Sequence, residues 1–433
     1  MRTLTPTPSE ISVTPLWIAE QPLPLASTAA LPREVDCAII GAGYTGLSAA
    51  RETAAAGRST LVLDAGSAGD GCSGRNGGQV AYSIKPAIDE LRARHGADLA
   101  HRIGLEGFAA MANLRDLAQE AHVDIGWRPS GCFYGAHSAR HFDLVRREAE
   151  RQPAGLEQRI SVVSRADQSC EIDTDFYHGG LTYHDDASVH PMRLLLILLE
   201  RARAAGAVVI DHCAVTAMRS AAHGYELRTP RGVVRANKVL IATNGYSGPL
   251  SPWHRRRVIP IGSYQIATER LGVERVRALI PQGRNIVDTR RVVVYFRPSP
   301  DGERIVFGGR AALAEKNPLA VVPRLRAMLA QIFPSLQSVA IAHAWAGTVA
   351  FTFDRLAHLG HRDGLYFCMG YCGQGVPLAP YFGKRIGQQM LGLAEGRTAL
   401  DGLPFPSRPY YRGTPWFLAP SVLAYRLIDA AGL

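Results

Sequence analysis

The clearest chemical pattern in the sequence is a set of three glycines followed by a carboxylate. Gly41, Gly43 and Gly46 follow one apolar run, and Asp64 ends the next apolar run along the chain. Glycines at this spacing let a strand turn tightly into a helix whose first N–H groups face phosphates. A carboxylate at the end of the second strand accepts hydrogen bonds from ribose hydroxyls. The pattern therefore predicts a dinucleotide-binding site.

Two further glycine-rich loops indicate which dinucleotide is bound. Residues 71–80 read GCSGRNGGQV, and residues 370–376 read GYCGQGV just before a helix with Pro377 in its first turn. A nicotinamide dehydrogenase needs no second glycine-rich loop directly after the ribose carboxylate, whereas a permanently bound flavin must be wrapped along its whole length. The two loops therefore favour FAD. Asn244 follows another predicted strand, where it is suited to pack against the adenosine.

The elements that must position these loops form two regions of different character. Apolar runs at 35–40 and 60–63 flank a helical stretch at 47–56, which predicts a β-α-β unit of an α/β domain. Further strands of this domain are predicted at 207–210, 214–218, 232–242 and 365–369. An inserted substrate domain is predicted from helical and strand-like runs at about 85–150, 258–267, 292–296 and 304–307.

These runs predict a discontinuous two-domain chain behind an N-terminal extended arm. The predicted boundaries are 1–32 for the arm, 33–84, 150–250 and 346–433 for the FAD-binding domain, and 85–149 and 251–345 for the substrate domain. The last part of the FAD-binding domain includes an amphipathic helix at 421–431, which we expect to dock against the body of the protein.

Composition and charge exclude several classes of protein. The chain has 433 residues, of which 47% are hydrophobic and 20% charged, so its composition is globular and not disordered. No apolar stretch approaches the roughly 18 residues that span a bilayer, and the N-terminus lacks the apolar segment of a secretory signal. The formal charge of +10 is carried almost entirely by dispersed arginines, which favours a basic enzyme with an anionic cofactor over a nucleic-acid-binding protein. Seven cysteines without zinc spacing predict reduced thiols in a cytoplasmic protein and no metal site.

Together with the glycine motifs, several longer segments resemble the FAD-dependent oxidoreductases of the D-amino-acid oxidase and glycine oxidase superfamily. The segments include GCSGRNGGQ at 71–79, HPMRLLLILLERARAAGAVV at 190–209, KVLIATNGYSG at 238–248, IPIGSYQIATERL at 259–271, DTRRVVVYFRPSPDGERIVFGGR at 288–310 and GYCGQGV at 370–376. The resemblance runs from about residue 15 to the end of the chain. It implies an α/β fold (α+β overall), in which a glutathione-reductase-like, FAD-binding Rossmann domain carries an inserted antiparallel-sheet substrate domain over the flavin.

The activity that the resemblance implies is FAD-dependent oxidation of a C–N bond in a small-molecule amine. A hydride moves from the carbon bearing the neutral amine to flavin N5, and the resulting imine hydrolyses to an aldehyde or ketone. Molecular oxygen is the electron acceptor that the family usually uses. We expect no nucleic-acid partner and no integral membrane association, and the oligomeric state stays open.

The resemblance also implies which residues hold the cofactor. The implied contacts are Gly41, Gly43, Thr45, Gly46 and Asp64 at the ADP half, Ser73, Arg75, Asn76, Gly77, Gly78 and Gln79 along the pyrophosphate and the dimethylbenzene side, Val215 and Asn244 at the adenosine end, and Gly373, Gln374, Gly375 and Val376 at the pyrimidine end. The helix that follows Gly375 would stabilise negative charge on the reduced flavin through its positive pole.

Three departures from the family pattern refine these expectations. Enzymes that oxidise free α-amino acids usually place a carboxylate-binding Arg just after the strand matching 344–347, where this chain reads TVA at 348–350. We therefore expect a primary or secondary amine whose carboxylate is absent or remote, such as a γ-glutamyl amine. The strand at 304–307 lacks the oxygen-activating Lys of sarcosine-oxidase-like relatives, so oxidase and dehydrogenase behaviour both stay open. No Cys lies near Gly347, where some relatives attach the flavin, so we expect non-covalent FAD.

Five residues are candidates for contact with the substrate: Tyr264, Tyr295, Arg297, Trp345 and Gln374. Tyr295 and Arg297 are two residues apart in one predicted strand and so share a face of the sheet. Arg297 either pairs with a substrate carboxylate or is a structural arginine at a strand end. Trp345 either forms an aromatic wall over the ring or packs in the core. Gln374 stands where close relatives usually have His, and it keeps hydrogen bonding without titrating.

Two alternative functions follow from particular features of the sequence. An imino-acid (pipecolate-like) or opine-type oxidase requires Arg297 to bind an α-carboxylate beside the flavin. A membrane-peripheral amine dehydrogenase that passes electrons to quinone is suggested by the +10 charge, the missing Lys and the C-terminal helix.

Overall fold

The computed structural model describes residues 11–82, 84–310, 317–362 and 364–430. The α-helices in these residues are α1 (Leu16–Glu20), α2 (Tyr44–Ala55), α3 (Ile88–His95), α4 (Ala97–Gln119), α5 (Ala139–Glu150), α6 (Pro191–Ala204), α7 (Pro252–Arg255), α8 (Val273–Leu279), α9 (Val322–Ile332), α10 (Gly375–Leu391) and α11 (Leu418–Ala430). The strands are β1 (Glu34–Ile40), β2 (Thr60–Leu63), β3 (Gln79–Val80), β4 (Cys132–Gly135), β5 (Ile160–Val163), β6 (Gly180–Tyr183), β7 (Ala187–Ser188), β8 (Val208–Ile210), β9 (Ala217–Ser220), β10 (Tyr225–Thr229), β11 (Gly232–Ile241), β12 (Val258–Thr268), β13 (Asn285–Asp288), β14 (Val294–Pro298), β15 (Ile305–Gly309), β16 (Ile341–Thr352), β17 (His358–Arg362) and β18 (Leu365–Met369).

The first sheet carries the dinucleotide motif. Its strands run in the order β17-β18-β11-β1-β2-β8, and β10 and β9 form an antiparallel extension on β11. The central pairs, from β18 through β11, β1 and β2 to β8, are all parallel. Central parallel strands are covered on both faces, which is why β2 and residues 37–40 of β1 are buried at every position. The β-α-β unit predicted from the sequence is confirmed.

Glycines control the turn from β1 into α2 and the packing of α10. Gly41 has a φ of +110°, a conformation that residues with a side chain rarely adopt. A Cβ at Gly46 would lie only 1.9 Å from the carbonyl oxygen of Gly41, so a larger residue would push the helix away from the strand. A Cβ at Gly383 would lie 2.5 Å from the carbonyl oxygen of Thr45, which is how closely α10 approaches α2.

The second sheet is built from strands that are far apart in sequence. Its order is β16-β12-β15-β14-β13-β4-β6-β5, and within it only β13 and β4, of the described pairs, run parallel. One face packs with α8 and α9 around a core that includes Phe296, Phe307 and Leu325. Side chains alternate between the faces of a strand, so Gln265 in β12 and Tyr295 in β14 lie on the opposite face, toward the first sheet.

The pairing of this sheet differs from the predicted domain boundaries. The boundaries assign β5 and β6 to the FAD-binding domain, but both strands extend the second sheet through β4. They assign α3 and α4 to the substrate domain, yet apolar side chains of both helices share a core cluster with α2 and α10. The predicted boundary between the substrate domain and the last part of the FAD-binding domain, at 345/346, falls inside β16. This strand pairs with β12 as far as Thr352. These are long-range pairings, which local hydrophobic periodicity does not reveal.

Two smaller predictions also need correction. The N-terminal arm is not extended throughout, because α1 forms in it and buries Trp17 completely. The strand predicted at 214–218 begins only at Ala217, since Val215 and Thr216 instead line a large cavity.

Within the described parts of the chain, no helix is long and apolar enough to cross a membrane. The same parts contain no group of three or more His, Cys, Asp or Glu side chains arranged to hold a metal ion.

Candidate active site

A cavity of 1510 Å³ lies between the first sheet and the second sheet. Ligand sites in proteins usually measure about 300–1,000 Å³, so this cavity has room for a long cofactor together with a second small molecule. It is lined by the glycine turn after β1, by loop 71–80, by the start of α10 and by one face of the second sheet. The loops predicted to bind the cofactor therefore open onto one space.

Asp64 holds the glycine turn at one end of the cavity. Its carboxylate oxygens accept hydrogen bonds from the backbone N–H groups of Ala42 (2.6 Å) and Gly66 (2.9 Å). Burial raises the pKa of Asp64 above its usual value, and the two hydrogen bonds oppose that shift. A carboxylate has about four acceptor sites, so Asp64 keeps capacity for the hydroxyl groups of a ribose.

Loop 71–80 is folded by its own polar side chains. Asn76 Nδ2 donates to the carbonyl oxygens of Cys72 (3.1 Å) and Ser73 (2.8 Å), and Asn76 Oδ1 accepts from the N–H of Gly78 (2.8 Å). Ser73 Oγ accepts from the N–H of Tyr44 (3.1 Å), the first residue of α2. Ser73 and Asn76 therefore give the loop its shape beside the N-terminus of α2.

Arg75 ties this loop to the second sheet. Its carbonyl oxygen accepts hydrogen bonds from Gln265 Nε2 (2.7 Å) and from Trp345 Nε1 (2.9 Å). Its guanidinium pairs with Asp70 (2.6 Å) and donates to the carbonyl oxygen of Ala346 (3.2 Å) in β16. The relative position of the two sheets thus depends on the loop that is predicted to hold the cofactor.

The start of α10 forms another part of the cavity wall. The residues from Gly373 to Val376 line the cavity, and the first N–H groups of a helix have no acceptor within that helix. Gly373 has a φ of +93°, and no atom lies within 4 Å of where its Cβ would be, so the chain enters the helix beside open space. The positive end of the helix dipole favours negative charge at this place.

These features fit a flavin dinucleotide. The N-termini of α2 and α10 both face the cavity, and Asp64 lies beside the turn that begins α2. A Cβ at Gly43 would lie 2.8 Å from Ser73 Oγ, and one at Gly41 would lie 2.9 Å from the carbonyl oxygen of Ala242. The glycines thus leave a backbone cradle at the phosphate position that larger residues would fill.

Most of the predicted cofactor residues come together around this cavity. Those that line it are Gly41, Gly43, Thr45, Asp64, Ser73, Arg75, Asn76, Gly77, Gln79, Val215, Asn244, Gly373, Gln374, Gly375 and Val376. Gly46 and Gly78 do not line the cavity. At each of these positions the absence of a side chain allows close packing against neighbouring backbone. A Cβ at Gly78 would lie 2.3 Å from the carbonyl oxygen of Val189 and 2.7 Å from Arg297 Nη2.

Two of the five substrate candidates, Tyr295 and Gln374, line the cavity. The hydroxyl of Tyr295 hydrogen-bonds with Ser263 Oγ at 3.0 Å. Burial raises the pKa of Tyr295 to about 12, so the phenol is neutral at physiological pH. A neutral phenol in this position can donate a hydrogen bond to a ligand or accept one from it.

Tyr264 and Trp345 do not reach the cavity, which corrects their predicted role. Tyr264 is fully buried in the core on the far face of the second sheet, as the neighbour of cavity-facing Gln265 must be. Trp345 is also buried, with its ring edge-on to Trp17 at 6.1 Å and its Nε1 bound to loop 71–80. Of the two roles left open for Trp345, core packing is the one that the structure contains.

Arg297 is likewise outside the cavity lining. It shares the face of β14 with Tyr295, as the strand period predicts, but its Nη2 donates to the carbonyl oxygen of Val189 (2.8 Å). Its guanidinium lies over the ring of Trp17 at 5.0 Å. Burial lowers the pKa of Arg297 to about 9. These contacts assign Arg297 to packing behind loop 71–80, and the predicted pairing with a substrate carboxylate does not fit its position.

Lys85 and Arg310 are among the cavity-lining cations that sequence reasoning missed. Burial lowers the pKa of Lys85, and the positive charge of Arg310 lowers it further. Burial also lowers the pKa of Arg310, whose guanidinium lies over the ring of Phe351 at 4.7 Å. Gly308 pairs with Tyr295 of β14, and Arg310 lies two residues after Gly308. The alternation of side chains between the two faces of a strand could therefore have predicted that Arg310 shares the face of Tyr295. Nothing in the sequence pattern around Lys85 points to the cavity.

Comparison with known protein families gives one match that spans most of the chain. Residues 36–389 match the family model DAO, described as FAD dependent oxidoreductase. A probable oxidoreductase, OrdL, of Rhizobium meliloti (strain 1021) is 33% identical over 403 residues, which cover 91% of this chain and 92% of the relative. The gamma-glutamylputrescine oxidoreductase of Escherichia coli (strain K12) is 31% identical, with 92% of this chain and 93% of the relative covered.

Solved structures resemble the fold as a whole. Glycine oxidase from Geobacillus kaustophilus superposes with a TM-score of 0.72 at 21% identity, covering 88% of this chain and 100% of that one. L-proline dehydrogenase from P. horikoshii gives a TM-score of 0.71 at 16% identity, covering 90% of this chain and 99% of that one. At these identities the likeness concerns the fold, and it matches the two-sheet architecture expected from the sequence.

Proposed function

The chain belongs to the DAO family of FAD-dependent oxidoreductases, enzymes that act on amines or amino acids, and on that premise we propose that its substrate is a primary or secondary amine without an α-carboxylate. When bound, FAD supplies the acceptor for the hydride that leaves the carbon next to the amine nitrogen. The oxidised substrate is an imine, which water hydrolyses to an aldehyde or ketone.

The observation that carries this proposal is the composition of the cavity wall at β16. Gly347 and Val349 line the cavity there, and residues 348–350 read TVA, with no cationic side chain among them to pair with a carboxylate. An unpaired carboxylate in such a place would lose its hydration without compensation. A carboxylate on the substrate must therefore lie elsewhere.

Lys85 and Arg310 supply positive charge to the same cavity. No carboxylate of the described residues is among the charges that act on either group. The relative from Escherichia coli is named for γ-glutamylputrescine, an amine whose only carboxylate lies on the glutamyl group, remote from the primary amine. We therefore propose a γ-glutamyl amine as substrate, with its carboxylate paired to these two cations.

The side chains and backbone around the cavity would bind and orient such an amine. The neutral phenol of Tyr295 can hydrogen-bond to the amine nitrogen. The N–H groups at the start of α10 would hold the cofactor and would favour negative charge on it.

We propose molecular oxygen as the electron acceptor and the cytoplasm as the location. The seven cysteines are all free thiols, which supports a reducing compartment. Residues of α11 such as Leu418, Val422 and Tyr425 line the cavity. This helix therefore packs against the body of the protein, which gives little support to a membrane-peripheral dehydrogenase.

An anaerobic flavin assay tests the proposed function. The purified yellow protein is mixed without oxygen with γ-glutamylputrescine, putrescine, pipecolate, sarcosine or glycine, the flavin absorbance is followed, and air is then admitted. We expect γ-glutamylputrescine to bleach the flavin and air to restore it. Reduction by pipecolate or glycine alone would replace the proposal with an imino-acid or α-amino-acid oxidase. Bleaching that air does not reverse would replace the oxidase with a dehydrogenase.

A further inference from the structure

The C-terminal helix α11 lines the cavity, although the proposed chemistry does not use it. Leu418, Val422 and Tyr425 are four and three residues apart, so they share one face of the helix, and all three line the cavity. Ser421, on the same side, lines it as well. Leu423 lies on the other side of the helix and is 60% exposed. One face of α11 is therefore a wall of the cavity, and Leu423 marks its solvent side.

This wall stands beside the groups that are candidates for contact with the substrate. Leu418 packs in an apolar cluster with Ile259 and Ile261 of β12. These two isoleucines share a face of the strand with Ser263, whose hydroxyl hydrogen-bonds with Tyr295. Ile261 lies two residues from Ser263, which is about 7 Å along the strand. The helix therefore borders the region of the cavity that Tyr295 faces.

The N-terminal end of α11 is attached to β12 by apolar packing. Leu418 is buried in the cluster with the two isoleucines of that strand. Phe417, the residue before the helix, packs its ring against Tyr411 at 5.8 Å. The hydroxyl of Tyr411 donates to the carbonyl oxygen of Val258 (2.6 Å), the first residue of β12. These contacts fix where the helix begins.

The C-terminal end of α11 is attached by a single carboxylate. Asp429 Oδ1 accepts from the N–H of Arg291 (2.9 Å), and Asp429 Oδ2 accepts from the N–H of Val292 (3.0 Å). Both N–H groups belong to the turn between β13 and β14, which Asp288 fixes by accepting from the N–H of Val294 (3.2 Å). The helix dipole disfavours a carboxylate in the last turn of a helix, whereas hydrogen bonds to an ionised acceptor are roughly twice as strong as neutral ones. The two bonds to the turn thus explain an aspartate at this place.

We propose that α11 is the closing wall of the substrate site and that Asp429 is the positioning residue that holds this wall in place. Val422 and Tyr425 lie between the two attached ends of the helix, so their positions depend on both attachments. They present an apolar side chain and an aromatic ring to the cavity, which suit the carbon chain of a substrate better than its charged groups. The inference requires only that an amine or amino acid reacts in this cavity, and it holds for substrates other than a γ-glutamyl amine.

Two neighbouring residues of α11 provide a matched test of the wall. Anaerobic flavin reduction is measured against the concentration of γ-glutamylputrescine for Val422→Ala, on the cavity side, and for Leu423→Ala, on the solvent side. We expect Val422→Ala to raise the half-saturating concentration about threefold or more. Its limiting rate constant should stay within about twofold, because an apolar contact made equally before and during the reaction affects binding alone. Leu423→Ala should match the wild type in both quantities. Equal half-saturating concentrations for the two variants would overturn the proposal.

Hydrogen–deuterium exchange of the holoenzyme tests the role of Asp429 without any substrate. Asp429→Ala removes both acceptors, whereas Asp429→Asn keeps one of them. We expect exchange of the amides in residues 418–430 to be at least about tenfold faster in Asp429→Ala, intermediate in Asp429→Asn, and unchanged in Leu423→Ala. The half-saturating concentration should rise in the same order. Unchanged exchange in Asp429→Ala would refute the positioning role, and faster exchange with an unchanged half-saturating concentration would refute the wall.

Failure of the proposed function is a separate outcome. Reduction of the flavin by pipecolate or glycine and not by γ-glutamylputrescine would refute the proposed substrate. The comparison of Val422→Ala with Leu423→Ala is then made with the compound that reduces the flavin, and the same difference between the two variants is expected. The exchange measurement is the same in either case.

Discussion

Side chains around the cavity fall into two kinds. Some shape the cavity through hydrogen bonds to the protein, and others line it without a partner of opposite charge. Asn76 illustrates the first kind, since its amide makes three hydrogen bonds within its own loop. Asp186 and Arg310 illustrate the second kind, because each lines the cavity without a partner of opposite charge among the described residues. The sequence motifs select the first kind readily, since glycine-rich loops have a fixed pattern. The second kind lies outside those motifs, so substrate recognition was the harder part to predict.

Asp186 should lower the stability of the ligand-free protein at neutral and alkaline pH. Burial raises its pKa from 3.8 to about 7, so between these values the folded state holds a proton that the unfolded state has released. The contribution of Asp186 to the free energy of unfolding therefore falls as pH rises from 4 to 7, by up to about 4 kcal/mol. Asp186→Asn should be more stable than the wild type at pH 8, and the difference should shrink toward pH 4. Urea unfolding at both pH values measures this, and a difference that does not change with pH would contradict it.

Arg310 should determine affinity for a carboxylate on the substrate. A hydrogen bond to a charged group contributes about 1.5–3 kcal/mol, so Arg310→Met should weaken binding of γ-glutamylputrescine about 10–100-fold. Putrescine, which has no carboxylate, should bind the variant and the wild type alike. The concentration dependence of anaerobic flavin reduction gives both affinities. Arg326→Met, at an arginine that contacts the carbonyl oxygen of Gln337, is the control and should change neither value.

At the scale of elements, local periodicity predicted the order of strands and helices along the chain. The unit β1-α2-β2, the strand β18 and the helix α10 were all found at the positions that their apolar runs and glycines indicate. Strand alternation also placed Tyr295 and Arg297 on one face correctly. It did not predict where the cavity ends along that face, which depends on loop 71–80 and on α1. The membership of β5 and β6 in the second sheet depends on pairing with β4, and no local signal encodes it.

Adding a single methyl group at Gly46 should disrupt the packing of α2 against β1. Gly46→Ala would bring a Cβ within 1.9 Å of a backbone carbonyl oxygen, so the helix must move. Overpacking of this kind costs about 1–3 kcal/mol or more, and here it also displaces the N-terminus of α2 at the cavity. We expect a lower melting temperature and loss of bound flavin, measured by the ratio of absorbance at 450 nm to that at 280 nm.

Gly57→Ala is the matched control for that substitution. Unlike Gly46, Gly57 has a positive φ, +75°, and no atom lies within 4 Å of its Cβ position. Its cost should be limited to the backbone strain of about 1–2 kcal/mol, with the flavin retained. Retention of flavin by both variants would show that the position of α2 does not matter for the cofactor.

For the whole molecule, the cofactor loop joins the two sheets. The carbonyl oxygen of Arg75 accepts from one side chain in β12 and one in β16, so the substrate sheet is attached to the loop that shapes the FAD site. The family resemblance predicted the two-sheet architecture. It did not predict the domain boundaries, because these depend on long-range contacts of this kind. Sequence periodicity describes each element, and the boundaries depend on which elements touch.

The flavin should be released intact when the protein is denatured. No cysteine lies near Gly347 in the sequence, and burial raises the pKa of Cys372, one of the thiols that line the cavity, which keeps it in the unreactive neutral form. After acid precipitation, the yellow colour should appear in the supernatant and match FAD by chromatography. Colour that stays with the precipitated protein would mean a covalent link.

The proposed function of the whole molecule requires above all that the cavity take an amine without a carboxylate on the reacting carbon. The most direct test compares γ-glutamylputrescine with δ-N-(γ-glutamyl)ornithine, which differ only by a carboxylate on the carbon that bears the amine. The measurement is the rate constant of anaerobic flavin reduction by each compound. Because an unpaired buried carboxylate costs several kcal/mol, we predict reduction at least about 100-fold faster by γ-glutamylputrescine. Equal or faster reduction by the ornithine derivative would contradict the account.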